Sequence, residues 1–153
     1  MVLYRITRAR HAADLSGEGA RLTKGRWNPV GVSMVYTASS VALAALEVYV
    51  NVPRGIVIAA EFKRVDIQVP DSAMIEYVEV SDLSSDWSNV IAPDSIGEIG
   101  QAWADRCSSL LMRVPSAALS GHEYNFLINP RHPDMKGVKV LNITPFVYDS
   151  RMV

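Results

Sequence analysis

The sequence predicts one α+β domain over residues 1–153, with a mixed or largely antiparallel sheet and two modest helices. Three observations predict it. Strand-like runs stand before, between and after the helical segments. A length of 153 residues suits one core and would leave two halves marginal. No repeat, low-complexity tract or Pro/Gly-rich linker divides the chain.

Val2-Leu3-Tyr4-Arg5-Ile6 alternates and opens the sheet. Residues 12–25 contain Gly17, Gly19 and Gly25 among polar groups and read as a long loop. A short strand over 33–37 carries Tyr36. Ser39 or Ser40 then caps a helix that runs through Glu47 and stops before Pro53, with Leu43, Leu46 and Val50 on one face. The apolar run 56–62 reads as a strand buried on both sides, and 74–80 as an edge or half-exposed strand. Ser95-Ile96-Gly97-Glu98 matches a capping box and starts an amphipathic helix through Trp103. Strands over 110–114, ended by Pro115, and over 138–143 complete the set.

Composition narrows the function. With 49% hydrophobic and 20% charged residues, the chain reads as an ordinary soluble globular protein. Arg5, Arg8 and Arg10 interrupt the first apolar residues, so no secretory stretch is visible. The richest apolar segment, 41–52, is too short to span a bilayer, so the cytoplasm is the expected location and no membrane partner is expected. One cysteine, Cys107, excludes an internal disulfide, and His11, His122 and His132 lack metal-ligand spacing. The net charge of -1 hides an asymmetry: residues 1–26 carry six basic groups, and 61–105 carry ten acidic groups against Lys63 and Arg64. The basic start suits an anionic ligand and the acidic middle a basic protein partner. There is no overall basic footprint for nucleic acid.

Four separated residues carry candidate chemistry. Arg26, in Gly25-Arg26-Trp27-Asn28-Pro29-Val30-Gly31, offers a planar fork for phosphate or carboxylate, with Trp27 packing beneath the loop. Tyr36 suits stacking on a flat heteroaromatic ring. Glu47 is a carboxylate at the margin of an apolar helix face, an uncommon position. Ser116 follows Val114-Pro115 without a GxSxG elbow, and a serine-hydrolase reading would need His122 or His132 folded against it. Together they suit cleavage of NAD: its nicotinamide is already cationic and departs neutral, so one anionic group near the ribose suffices where ordinary glycosidases need two carboxylates. No GxGxxG follows the first strand, so NAD would be consumed as substrate and no retained cofactor is expected.

In this order, Arg26, Tyr36, Glu47 and Ser116, followed by 123–133 with Asn125, Asn129-Pro130 and His132-Pro133, resemble the RES-domain family of bacterial toxins. The resemblance runs from Tyr4-Arg5-Ile6 to Asp149-Ser150-Arg151. It implies a fold like that of ADP-ribosyltransferases and cleavage of the nicotinamide–ribose bond of NAD by water, phosphate or a protein side chain. It also implies an Xre-type helix-turn-helix antitoxin and a toxin homodimer. Catalytic roles then fall to Glu47, Arg26, Tyr36 and Ser116, and NAD contacts to Arg26, Tyr36, Ser116 and Asn125, with no metal. Asn125 would contact substrate or brace the Ser116 loop; His132 fits a structural turn. Two rival classes are a catalytically silent nucleotide-binding module, which gains nothing from Glu47, and an RNA-cleaving toxin, disfavoured by near-neutral charge.

Overall fold

The computed structural model describes residues 1–153. Its strands are β1 (Val2–Arg8), β2 (Val35–Ala38), β3 (Phe62–Gln68), β4 (Ile75–Tyr77), β5 (Leu111–Pro115), β6 (Tyr124–Ile128) and β7 (Lys139–Phe146). Its helices are α1 (Glu18–Leu22), α2 (Val41–Asn51), α3 (Arg54–Ala59) and α4 (Asp94–Arg106). The strands form one seven-stranded sheet in the order β4-β5-β6-β2-β1-β3-β7. Only β4 and β5 run parallel, so the sheet is mixed and mainly antiparallel, as the sequence predicts.

Four expectations about local structure fail. The run 56–62 is not a buried strand: Pro53 caps α3 with no side-chain bond, Val57 is buried and Ile58 is 64% exposed. A short apolar run fits either element, and here the Pro53 carbonyl accepts the Ile56 and Val57 N–H groups and opens the helix. The strand comes after it, as the alternating β3. The capping box at Ser95 does not form, because the N-cap is Pro93, two residues earlier, and Ser95 already lies inside α4. The 12–25 loop contains the short helix α1, and Val50 of α2 faces solvent. By contrast, the Ser40 side chain accepts the Leu43 N–H at 3.1 Å and caps α2 as expected.

Alternate positions of the same strands feed three packed cores. Trp27, Trp87, Ile96, Trp103, Met112 and Leu127 pack beneath α4. Leu3, Val35, Val65, Leu111 and Ile128 form a second cluster, and Ile6, Leu43, Val57, Phe62 and Tyr148 join α2 and α3 to the sheet. A Cβ at Gly100 would collide with the Trp27 carbonyl, so only glycine lets α4 approach the 27–29 backbone so closely. What positions the site is a gap in the sheet. β1 pairs with β3 from Val2 to Arg8 but meets β2 only at Tyr4–Ala38. Past that pair β1 and β2 splay, and a cleft opens between them.

Candidate active site

A cavity of about 260 Å³ occupies this opening, with Tyr4, Arg5, Tyr36, Glu47, Asn51 and Asn125 in its wall. A second, of about 250 Å³, lies under the 17–25 segment, and the two share Arg5 and Tyr36.

Glu47 stands on α2, which is fixed from behind by Tyr148, whose hydroxyl donates to the Ala45 carbonyl at 2.5 Å. One carboxylate oxygen, Oε1, accepts from Ser116 Oγ at 2.7 Å and from Asn125 Nδ2 at 2.7 Å. The other, Oε2, meets only Asn51 Nδ2, at 3.4 Å. All three donors are neutral, and Glu47 enters no ion pair. Ser116 is wholly buried at the end of β5; its N–H donates to the Glu123 carbonyl and its own carbonyl accepts from Gly121. Asn125, on β6, spends its amide on Glu47 and leaves its buried Oδ1 without a partner. A buried acceptor without a donor is costly, which makes it a ready contact for a ligand N–H or O–H. No histidine bonds Ser116, whose hydroxyl partner is Glu47, so the hydrolase arrangement is absent.

Tyr36 stands in the wall of both cavities, while its hydroxyl is committed to structure. It donates to Asn28 Oδ1 at 2.6 Å and accepts from the Trp27 N–H at 3.1 Å. Burial pushes the phenol well above its ordinary value, opposed by the Trp27 N–H and by the charge of Arg26, so Tyr36 is a neutral wall and not a base. Arg26 is nearby but in neither cavity wall. Its Nη1 donates to the Trp87 carbonyl at 2.7 Å. Burial lowers its pKa and the negative charge of Glu47 opposes that fall, so the two charges feel each other's field.

Two residues with site roles escape a reading from sequence. Arg5 forms wall in both cavities, carries no ion pair and donates only to the Asp14 carbonyl, at 2.7 Å. Desolvation lowers its pKa, with Asp14 opposing. Asn28, fully buried, donates to the carbonyls of Ala20, Thr23 and Pro29 and so locks the Gly25–Gly31 segment around Tyr36. Gly25 is required there because a Cβ would strike Asn28 Oδ1 and the Tyr36 hydroxyl. His132 accepts the Asp134 N–H and caps a 3-10 turn, a structural place.

The chain matches the family described as the RES domain over residues 2–149. It belongs to the RES-domain family. Relatives of this RES domain include a protein named Prs ADP-ribosylating toxin from Sphingobium sp. (strain YBL2), 41% identical over 95% of this chain and 91% of the relative. Another is Toxin Res from Photorhabdus laumondii, 36% identical over 100% and 97%. Among solved structures, the M. tuberculosis MbcT-MbcA toxin-antitoxin complex contains a chain with the same fold at a TM-score of 0.79 and 21% identity, covering 95% of this chain and 84% of that one. No helix of the RES domain here is long and apolar enough to cross a membrane.

Proposed function

We propose that this RES domain is the toxin of a bacterial toxin–antitoxin pair and that it acts in the cytoplasm by cleaving the nicotinamide–ribose bond of NAD. The observation that carries the reading is Glu47: a carboxylate in the cleft wall, oriented by Ser116 and Asn125 and neutralised by neither. As the glycosidic bond lengthens, positive charge develops on the ribose and nicotinamide leaves neutral with the bonding pair. A preoriented anion that gains most when that charge appears favours the transition state over the bound substrate. Water then adds to the anomeric carbon and releases a proton, giving ADP-ribose; phosphate as acceptor gives its phosphorylated form.

The remaining groups support the same substrate. Two neighbouring cavities that share Arg5 and Tyr36 in their walls suit a ligand with two ring systems linked by an anionic bridge, for which Arg5 supplies charge in both walls. The orphan Asn125 Oδ1 suits a ribose hydroxyl or the nicotinamide amide. NAD is consumed here, not held as a cofactor. The name of the Sphingobium relative favours a second reading of the same chemistry, in which a protein side chain is the acceptor.

An Xre-type helix-turn-helix antitoxin would restrain such an enzyme in its own cell. A carboxylate from that partner would have to displace existing bonds at the basic rim, since Lys24 is paired with Asp94 at 2.8 Å and Arg26 holds Trp87. A homodimer fits the open edge of β7, whose middle, 140–144, carries no charge to guard it. The test is a time course of purified protein with NAD, with and without phosphate. Nicotinamide release with ADP-ribose or its phosphorylated form is expected; intact NAD would refute the reading.

A further inference from the structure

The acidic middle of the chain forms a surface that NAD cleavage does not use. Residues 78–93 link β4 to α4, and their second part, 83–93, exposes Val90 by 98% and Ile91 by 86%, side by side. The loop is held in place. Trp87 is 6% exposed within the α4 core, its carbonyl accepts Arg26 Nη1, and Asp94 just beyond the loop holds Lys24. A fixed loop that presents two adjacent aliphatic side chains to water has the form of a docking tip, because such exposure is unfavourable until a partner covers it.

Charge selects the partner. From residue 79 to 105 there are six acidic side chains and no basic one, of which Glu79, Asp94 and Asp105 pair with Arg113, Lys24 and Arg131 from outside the segment. Asp86 in the loop and Glu98 on α4 are exposed and enter no ion pair. The same segment is bonded to Arg26, whose charge senses that of Glu47, so a protein seated on it lies on the Arg26 side of the cleft. We propose that this rim docks a protein acceptor of the ADP-ribosyl group, one that offers an apolar recess ringed by basic side chains. The inference rests on the NAD-cleaving reading above. In the transfer, the acceptor's nucleophilic atom bonds to the anomeric carbon as the bond to nicotinamide breaks. Nicotinamide leaves neutral with the bonding pair, and the acceptor's proton passes to solvent.

The test uses the full chain, NAD labelled on its adenosine, and as acceptor purified Prs, the protein that the name of the Sphingobium relative gives as its target. Val90→Ser with Ile91→Ser, and separately Asp86→Lys with Glu98→Lys, are compared with wild type for nicotinamide release without acceptor and for label on Prs. Both pairs are expected to keep nicotinamide release and thermal unfolding unchanged while labelling falls at least about tenfold, equivalent to roughly 1.4 kcal/mol of lost docking. Wild-type labelling should also fall with added salt while nicotinamide release does not. Unchanged labelling in both variants overturns the proposal. NAD cleavage by wild type with no label on Prs also overturns it, leaving the NAD reading intact; no nicotinamide release at all refutes both. Unchanged labelling with weakened self-association would give the rim to a second copy.

Discussion

Two glutamates near the β5–β6 pair sit in opposite electrostatic settings. Glu79 faces Arg113 at 2.6 Å, and Arg113 in turn stacks over the rings of Tyr124 and Tyr77 at 3.9 and 4.7 Å. The Tyr124 hydroxyl also donates to Glu79, at 3.3 Å. Glu47 receives bonds from Ser116, Asn125 and, at 3.4 Å, Asn51, all of them neutral donors. Charge on Glu79 is answered within the fold. Charge on Glu47 is oriented but has no ion-pair partner in contact, so its field is available to a cation that forms in the cleft. Of the two, Glu79 holds structure together and Glu47 is equipped for chemistry.

The largest way to break this contrast is Glu47→Gln. The amide keeps size and most bonds but removes the charge, and nicotinamide release should fall by about 100- to 1000-fold with the thermal midpoint unchanged. Ser116→Ala frees the carboxylate to turn; a loss of about tenfold in kcat, smaller than that of the charge itself, is expected from one such positioning bond, read in the same assay. Glu79→Ala should do the converse. It leaves a half-buried guanidinium unpaired and costs about 1–2 kcal/mol in urea unfolding, after allowance for the partial exposure of both groups. Nicotinamide release per folded molecule should stay at the wild-type rate.

A smaller effect comes from pH. The Tyr36 phenol is raised in the folded state, so its contribution is fully present below the unfolded value near 10 and is lost as pH rises beyond it. Stability should therefore decline above about pH 10, and Tyr36→Phe, though less stable at neutral pH, should show a shallower decline in urea titrations between pH 9 and 11.

What is readable in the sequence follows from how local each signal is. The Ser40 cap and the marginal place of Glu47 on α2 are local, and both are legible. Arg5 sits in an ordinary alternating strand and becomes a cavity wall only because β1 and β2 part after one pairing, a non-local event. Asn28 is one polar residue in a turn until three carbonyls and Tyr36 converge on it. The 56–62 run is ambiguous because its apolar residues satisfy helix and strand alike, and Lys63, Arg64 and Asp66 obscure β3 although Arg64 and Asp66 pair along it.

The most direct measurement gives Glu47 the kind of partner that Glu79 already has. Asn51 lies one helical turn after Glu47 and already reaches its Oε2, so Asn51→Lys supplies the missing cation in a favourable Glu-to-Lys spacing. Asn51→Met, similar in length to the lysine and uncharged, is the control for the change of cavity wall. The account predicts that both variants fold with wild-type stability, that the Asn51→Met protein retains nicotinamide release, and that the Asn51→Lys protein loses at least about tenfold in kcat. Equal rates in the two variants, with the lysine-bearing protein folded, would contradict the claim that an unanswered charge on Glu47 makes this site.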